Sequence, residues 1–203
     1  AQLYGGDAHT RIRQELILGI GGMRALEALG IRPSVIHMNE GHSAFATLEA
    51  ARQVIESENR SFAEVQERIA RRTVFTTHTP VEAGHDRFPP DMLLNTLSAE
   101  RKKLGISEKD LLALGRVNPQ DDGEPFCMTV LGLKMARYRN AVSAIHERVS
   151  RRMWHGLWPS RPLEEIPIYH ITNGVHTTTW LAMPMARLYS RYHGENWAQR
   201  AHL

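Results

Sequence analysis

Val35-Ile36-His37-Met38-Asn39-Glu40-Gly41-His42 is a short apolar run that gives way at once to polar residues and a glycine. It reads as a buried strand, Ser34–Met38, followed by a loop over Asn39–His42. A second stretch of the same kind, Arg72-Thr73-Val74-Phe75-Thr76-Thr77, is rich in β-branched residues and runs into His78-Thr79-Pro80. Helical patterns separate the two. Ser43 is the expected N-cap of a helix whose apolar face is Phe45, Leu48, Ala51, Val54 and Ile55. Ser61-Phe62-Ala63-Glu64 is a capping-box sequence that opens another, continued by Val65 and Ile69. Strand, helices, strand is the α/β pattern, and parallel strands with helical crossovers are its expected outcome. Ligands of such sheets sit outside the carboxyl ends of the strands. Asn39–His42 and His78–Thr79 are therefore expected side by side at one mouth.

Working outward, Thr10–Leu29 reads as helix, with apolar residues at three- and four-residue steps. It contains Gly19-Ile20-Gly21-Gly22. A phosphate-cradling glycine loop should follow a strand and open a helix, and these glycines follow a helical pattern. They are read as close packing of two helical segments or a helix break. Asp91–Leu104 reads as helix, Ser107 caps a short helix to Leu114, and Asn118–Pro125 is a polar loop. Phe126–Trp154 reads as one long helix without proline. Ile166–Ile171 reads as a third strand running into Thr172-Asn173-Gly174-Val175-His176, and Thr178–Leu203 as helical. No internal repeat or low-complexity segment is present.

The 203 residues suit one domain of ordinary size. Lys plus Arg is 25 and Asp plus Glu 22, a net charge of +3. Arg71-Arg72, Arg101-Lys102-Lys103 and Arg151-Arg152 are separated by acidic residues, which argues against a nucleic-acid surface. The single cysteine, Cys127, excludes a disulfide framework within the chain and fits a reducing, cytoplasmic compartment. No apolar run reaches membrane-spanning length. Ala1-Gln2-Leu3-Tyr4 has neither the charged nor the apolar part of a signal peptide, and the missing Met fits a chain cut out of a longer one.

Eleven histidines invite a metal reading. The spacings of His37 and His42, and of His78 and His85, do not give the helical pair of a zinc protease, and no metal is expected. Gly41-His42-Ser43 lacks the second glycine of a serine-nucleophile elbow. Cys127, flanked by Phe126 and Met128, reads as a buried structural thiol rather than a reactive one. Three loops remain: Asn39–His42, Thr76–Pro80 and Thr172–Val175. Each joins two-way hydrogen-bonding side chains to a glycine or proline, which is what neutral sugar hydroxyls need. Asn-Gly is by itself an ordinary turn, and a lone histidine is often structural. Three such loops at one sheet edge point to a polar small-molecule site.

The segments Leu3–Asp7, Val35–His42, Phe75–Phe88 (FTTHTPVEAGHDRF), Asn140–His146 (NAVSAIH) and Ile171–Leu181 (ITNGVHTTTWL) resemble, in order, the α-glucan phosphorylase family. The resemblance covers essentially the whole chain and is closest to the shorter bacterial-type branch. It implies a partial GT-B type glycosyltransferase fold, with a Rossmann-like parallel sheet, the chain being residues 1–203 of an incomplete N-terminal domain. It implies reversible phosphorolysis of α-1,4-glucans to glucose 1-phosphate with pyridoxal phosphate, in a protein that commonly forms homodimers.

By the resemblance, His78 is the catalytic histidine: its backbone carbonyl faces the glucosyl ring and its side chain helps hold the 6-hydroxyl. Asn173 is the second partner of that hydroxyl. Asn39, Glu40 and His42 match the loop lining the sugar pocket; many members have Asp where this chain has Glu40. The cofactor lysine, the phosphate-binding residues and the glycine loop facing the cofactor belong to segments not matched here. The 203 residues alone are expected to be inactive. Two alternatives stand beside this reading. Donor-nucleotide contacts elsewhere in the protein would mark a sugar-nucleotide-dependent transferase of the same broad fold. Maltooligosaccharide binding by this chain alone would mark a non-catalytic glucan-binding or regulatory module.

Overall fold

The computed structural model describes residues 6–199. Leu3-Tyr4-Gly5 of the first similar segment, and residues 200–203 at the end of the last expected helix, lie outside them. The chain divides into two compact units at the Ile171–Thr172 boundary.

The first unit contains strands β1 (Ile36–Asn39), β2 (Thr73–Thr77), β3 (Arg87–Phe88), β4 (Phe126–Cys127), β5 (Tyr138–Ala141) and β6 (Tyr169–His170). Four of them form a sheet in the order β1-β2-β5-β6, every neighbouring pair parallel. β3 and β4 form a small antiparallel pair. The expected α/β class and the parallel pairing of the first two strands are thus observed.

The first helical rod is α1 (Ala8–Leu16), a π-helical turn at Ile17–Gly21, and α2 (Gly22–Ala28). Asp7 caps its start by accepting from Thr10 N at 2.8 Å. Of the glycines in it, Gly19 has a packing reason: a Cβ there would stand 2.7 Å from Ala46 N and 2.9 Å from Phe45 Cβ. Close packing is the role of Gly19, in the π-helical turn that breaks the helix locally; among the described residues Gly21 and Gly22 have no such neighbour. α3 (Phe45–Glu58) and α4 (Phe62–Arg71) carry the chain from β1 to β2. Ser61 and Glu64 form the expected capping box. Ser43 is not an N-cap. It lies in a 3-10 turn, Gly41–Ser43, that runs straight into α3, so a backbone bond (Ala44 N to Gly41 O, 2.8 Å) does what a capping side chain would do.

The segment expected as one helix from Asp91 divides at Leu97 into α5 (Pro90–Thr96) and α6 (Ser98–Leu104). α7 (Glu108–Leu114) carries the expected Ser107 cap.

Phe126–Trp154 is not one helix. It is β4, then α8 (Met128–Met135), β5, and α9 (Ala144–Met153). α8 is buried on nearly every side, including Met128, Val130, Leu131, Leu133 and Met135. Its apolar run therefore carries no periodic signature of where it stops. Pairing of Tyr138–Ala141 with Val74–Thr77 overrides local helix propensity. The correction adds a strand, β5, between β2 and the strand expected as their neighbour.

One sheet face is packed. Ile36 and Met38 of β1 and Phe75 of β2 meet a core that includes Phe45, Leu48, Val65, Ile69 and Leu131. Each large side chain so buried contributes about 1.5–3 kcal/mol. On the other face, register aligns Asn39, Thr76, Asn140 and Tyr169, with His37 opposite Val74; His37 Nε2 lies 2.7 Å from Thr76 Oγ1, and Thr76 Oγ1 donates to Asn140 Oδ1 at 2.9 Å.

The second unit, by itself, is a loop at 172–176, α10 (Thr177–Trp180), α11 (Met183–His193) and a 3-10 turn at Trp197–Gln199. Tyr189 packs edge-on against Trp197 at 5.1 Å between ring centroids. No helix among the described residues is long and apolar enough to cross a membrane.

Candidate functional site at the strand ends

β1 and β2 end together. Asn39 is opposite Thr76 in the parallel register, and Glu40 N donates to Thr76 O at 2.9 Å. The expected juxtaposition of Asn39–His42 with His78–Thr79 is present. Asn39 and His78 are exposed, while Glu40 is buried.

Glu40 adopts φ 66°, ψ −177°. This region is almost exclusive to glycine and costs another residue about 1–3 kcal/mol. Gly41 next to it answers a different need: a Cβ there would stand 2.9 Å from Thr129 N at the start of α8. What holds Glu40 is its own carboxylate. Oε1 accepts from Thr77 Oγ1 (3.2 Å), from Thr79 N (2.8 Å) and from His78 N. These donors follow the last ladder bonds of β2 and would otherwise need other partners.

Behind the strand ends lies a charged cluster that the sequence did not reveal. Arg11 and Glu15 come from α1, His42 from the 3-10 turn, and Asp86 from the segment before β3. Arg11 Nη2 donates to Asp86 Oδ2 at 2.7 Å and to Glu15 Oε1 at 3.0 Å, and lies 3.2 Å from His42 Nδ1. His42 Nδ1 is 3.1 Å from Asp86 Oδ2. Burial pushes the Glu15 carboxyl up to about 7, against the opposing effect of His42 and Arg11. The Asp86 contact, then Glu15, raises His42 to about 9. Burial opposes ionisation of Asp86, yet bonds from His42 and Arg11 keep it below the usual carboxylate range.

Ligand atoms of Glu15, His42 and Asp86 lie within 4.8 Å of one another, the spacing of a metal site. The guanidinium of Arg11 already stands among them as the cation. Arg11 and Asp86 are 75 positions apart in sequence, so no local motif signals the cluster.

Asn173 lies in the exposed 172–176 loop of the second unit. Asn140, of the NAVSAIH segment, is on β5 as the acceptor of Thr76. Cys127 is fully buried, and that burial raises its thiol pKa, in keeping with a structural thiol.

Two larger clefts lie away from the strand-end ledge. One of about 360 Å³ is lined by residues including Glu147, Arg151, Leu163 and His170. Another of about 350 Å³ is lined by Glu27, Arg32, Gln53 and Arg68 among others. In the first, Glu147 pairs with Arg151 (2.9 Å) and with His170. The ledge is an open surface, and its polar geometry rather than its volume makes it the candidate.

The residues present do not fit a pyridoxal phosphate lysine. Lys102, Lys103 and Lys109 are exposed on α6 and α7. Lys134 Nζ donates to Ala113 O (2.7 Å) and Arg116 O (2.6 Å), holding the end of α7.

A parallel α/β sheet with neutral and anionic acceptors at its carboxyl edge has them where such sheets bind polar small molecules. Comparison with known proteins narrows this class. The chain is 45% identical over 201 residues to the maltodextrin phosphorylase of Thermococcus litoralis, covering 99% of this chain and 23% of that protein. It is 41% identical over 192 residues to the glycogen phosphorylase of Mycobacterium tuberculosis, covering 89% and 22%. It is 35% identical over 199 residues to the glycogen phosphorylase of Aquifex aeolicus, covering 98% and 28%. No family model matches the chain. Over nearly its whole length the chain is a homologue of maltodextrin and glycogen phosphorylases, and it spans about a quarter of the length of these curated relatives.

Proposed function

We propose that this chain supplies the strand-end part of the glucosyl site of an α-glucan phosphorylase. Such an enzyme cleaves α-1,4-glucans reversibly with phosphate to give glucose 1-phosphate. The observation that carries the reading is the ledge at β1 and β2. His78 is set at the carboxyl end of β2 with its backbone amide bonded to Glu40, in a segment homologous to phosphorylases.

In this reading the His78 carbonyl is the partial negative charge that faces the developing oxocarbenium centre. Its side chain and Asn173 hold the 6-hydroxyl and keep the ring in a reactive geometry. Asn39, Glu40 and His42 belong to the loop on the β1 side of the sugar, Glu40 with its carboxylate turned to the peptides of 77–79. The chain belongs to an interior stretch of the N-terminal domain of a two-domain GT-B fold. Pyridoxal phosphate would be held by residues outside this chain. A cytoplasmic, homodimeric protein agrees with the single buried thiol and with the family resemblance.

The test is phosphorolysis of maltodextrin by the full-length protein. Glucose 1-phosphate should be released, and His78→Ala and Asn173→Ala should each raise the barrier by about 1–3 kcal/mol. Wild-type rates in both variants refute the assignment. Release of glucose 1-phosphate by the 203 residues alone refutes the view that they are one part of the site.

A further inference from the structure

We infer that Glu40 is a positioning residue for His78: by holding the Thr79 amide from behind, its carboxylate aims and polarises the His78 carbonyl. This deepens the phosphorylase reading and rests on it.

The geometry is that of a single peptide unit. Thr79 N–H and His78 C=O belong to the same amide plane. Among the described residues there is no cis peptide bond, so this N–H and C=O point in opposite directions. Glu40 Oε1 lies 2.8 Å from Thr79 N on one side of that plane. The His78 carbonyl is therefore directed away from Glu40. His78 N, in the preceding peptide, donates to the same oxygen. Two consecutive peptide planes are pinned by one atom, and Thr77 Oγ1 adds a third donor at 3.2 Å. An anionic acceptor on the N–H also shifts electron density toward the oxygen of the same amide, because hydrogen bonds in series polarise one another. A carbonyl fixed in direction and enriched in charge stabilises a positive centre at low reorganisation cost.

The backbone of Glu40 supports the same assignment. Position 40 has the one conformation on this ledge that glycine would adopt freely, yet it carries a glutamate. Glycine at 40 would relax the backbone and leave the peptides of 77–79 unheld. Strain retained at such a point marks a side chain that serves a site rather than stability. All three donors converge on Oε1. Among the described residues Oε2 makes no hydrogen bond, so the positioning task uses one oxygen of the carboxylate.

The experiment uses the full-length protein with Glu40→Gly and Glu40→Gln, measuring kcat and KM for phosphorolysis, thermal midpoint, and hydrogen exchange at the His78 and Thr79 amides. For Glu40→Gly we expect a fall in kcat of about 100-fold, KM within about twofold, and a thermal midpoint unchanged or raised. Exchange at Thr79 should accelerate. Glu40→Gln keeps an acceptor but not the charge; it should keep amide protection and lose about tenfold in kcat. Wild-type kcat in either variant overturns the inference, as does a loss confined to KM. So does an activity loss that tracks a falling thermal midpoint, which is what a merely structural role would give. If Glu40→Gly does not fold, Glu40→Gln decides the matter on the same criteria. If the wild-type protein releases no glucose 1-phosphate, the phosphorylase reading fails, while the amide exchange still reports whether Glu40 holds these peptides.

Discussion

Replacing Glu15 by glutamine should change the pH dependence of stability more than its mean value. Glu15 is 1% exposed, and burial lifts its carboxyl from 4.5 to about 7. A folded pKa above the unfolded one means that the proton favours the fold. The stabilisation is fully present below about pH 4.5 and is lost as the pH rises through about 7. At about 1.4 kcal/mol per pH unit, the gap corresponds to about 3 kcal/mol, of which about 2 is lost by pH 6. Glutamine keeps an oxygen that can accept from Arg11, as Glu15 Oε1 does at 3.0 Å, and it does not titrate. Urea unfolding followed by tryptophan fluorescence at pH 4, 6 and 8 measures the difference between the two chains. The variant should gain on the wild type by about 3 kcal/mol between pH 4 and 8. His42, raised from 6.5 to about 9, loses its own stabilisation from about pH 6.5 upward, chiefly through Asp86, which both chains keep. A stability difference that stays flat from pH 4 to 8, or runs the other way, refutes the account of Glu15 as a buried, desolvated carboxyl.

Two further outcomes follow from packing. Gly19→Ala should lower stability by about 1–3 kcal/mol, read as a drop in thermal midpoint, because its Cβ would meet backbone of α3 that has little room to move. Cys127, buried and with its thiol pKa raised, should resist a disulfide reagent in the native protein and react fully in denaturant; rapid native labelling would contradict a structural thiol.

Local signals were legible where they were local. The Ser61–Glu64 box, the Ser107 cap and the β-branched run of β2 each carry their physics within a few residues, and each stands where the sequence put it. The strand-end placement of Asn39, Glu40 and His78 followed from the α/β pattern alone. β5 was hidden because its signal is its partner, Val74–Thr77, more than 60 residues away, and because α8 before it is apolar all round. The division of Asp91–Leu104 at Leu97 was hidden for a related reason: no Gly or Pro marks it, and a buried Leu97 sits at the bend. At the site, the positive φ of Glu40 had no signature, since a non-glycine residue there is held only by contacts made across 37 to 39 positions. The same is true of the cluster around Arg11, whose members are drawn from three separate segments.

The strands β1, β2, β5 and β6 lie side by side in the order in which the chain makes them. Open α/β sheets form a crevice where the winding reverses direction, and among these four strands it never does. Their loops therefore make a shelf with a single wall. Hydroxyls resting on such a shelf keep water on their far side, and a hydrogen bond that replaces one to water contributes only about 0.5–1.5 kcal/mol. A shelf of this kind grips weakly and orients well. Its worth to a reaction is angular: it decides which way a ring faces, and leaves the holding to whatever closes over it.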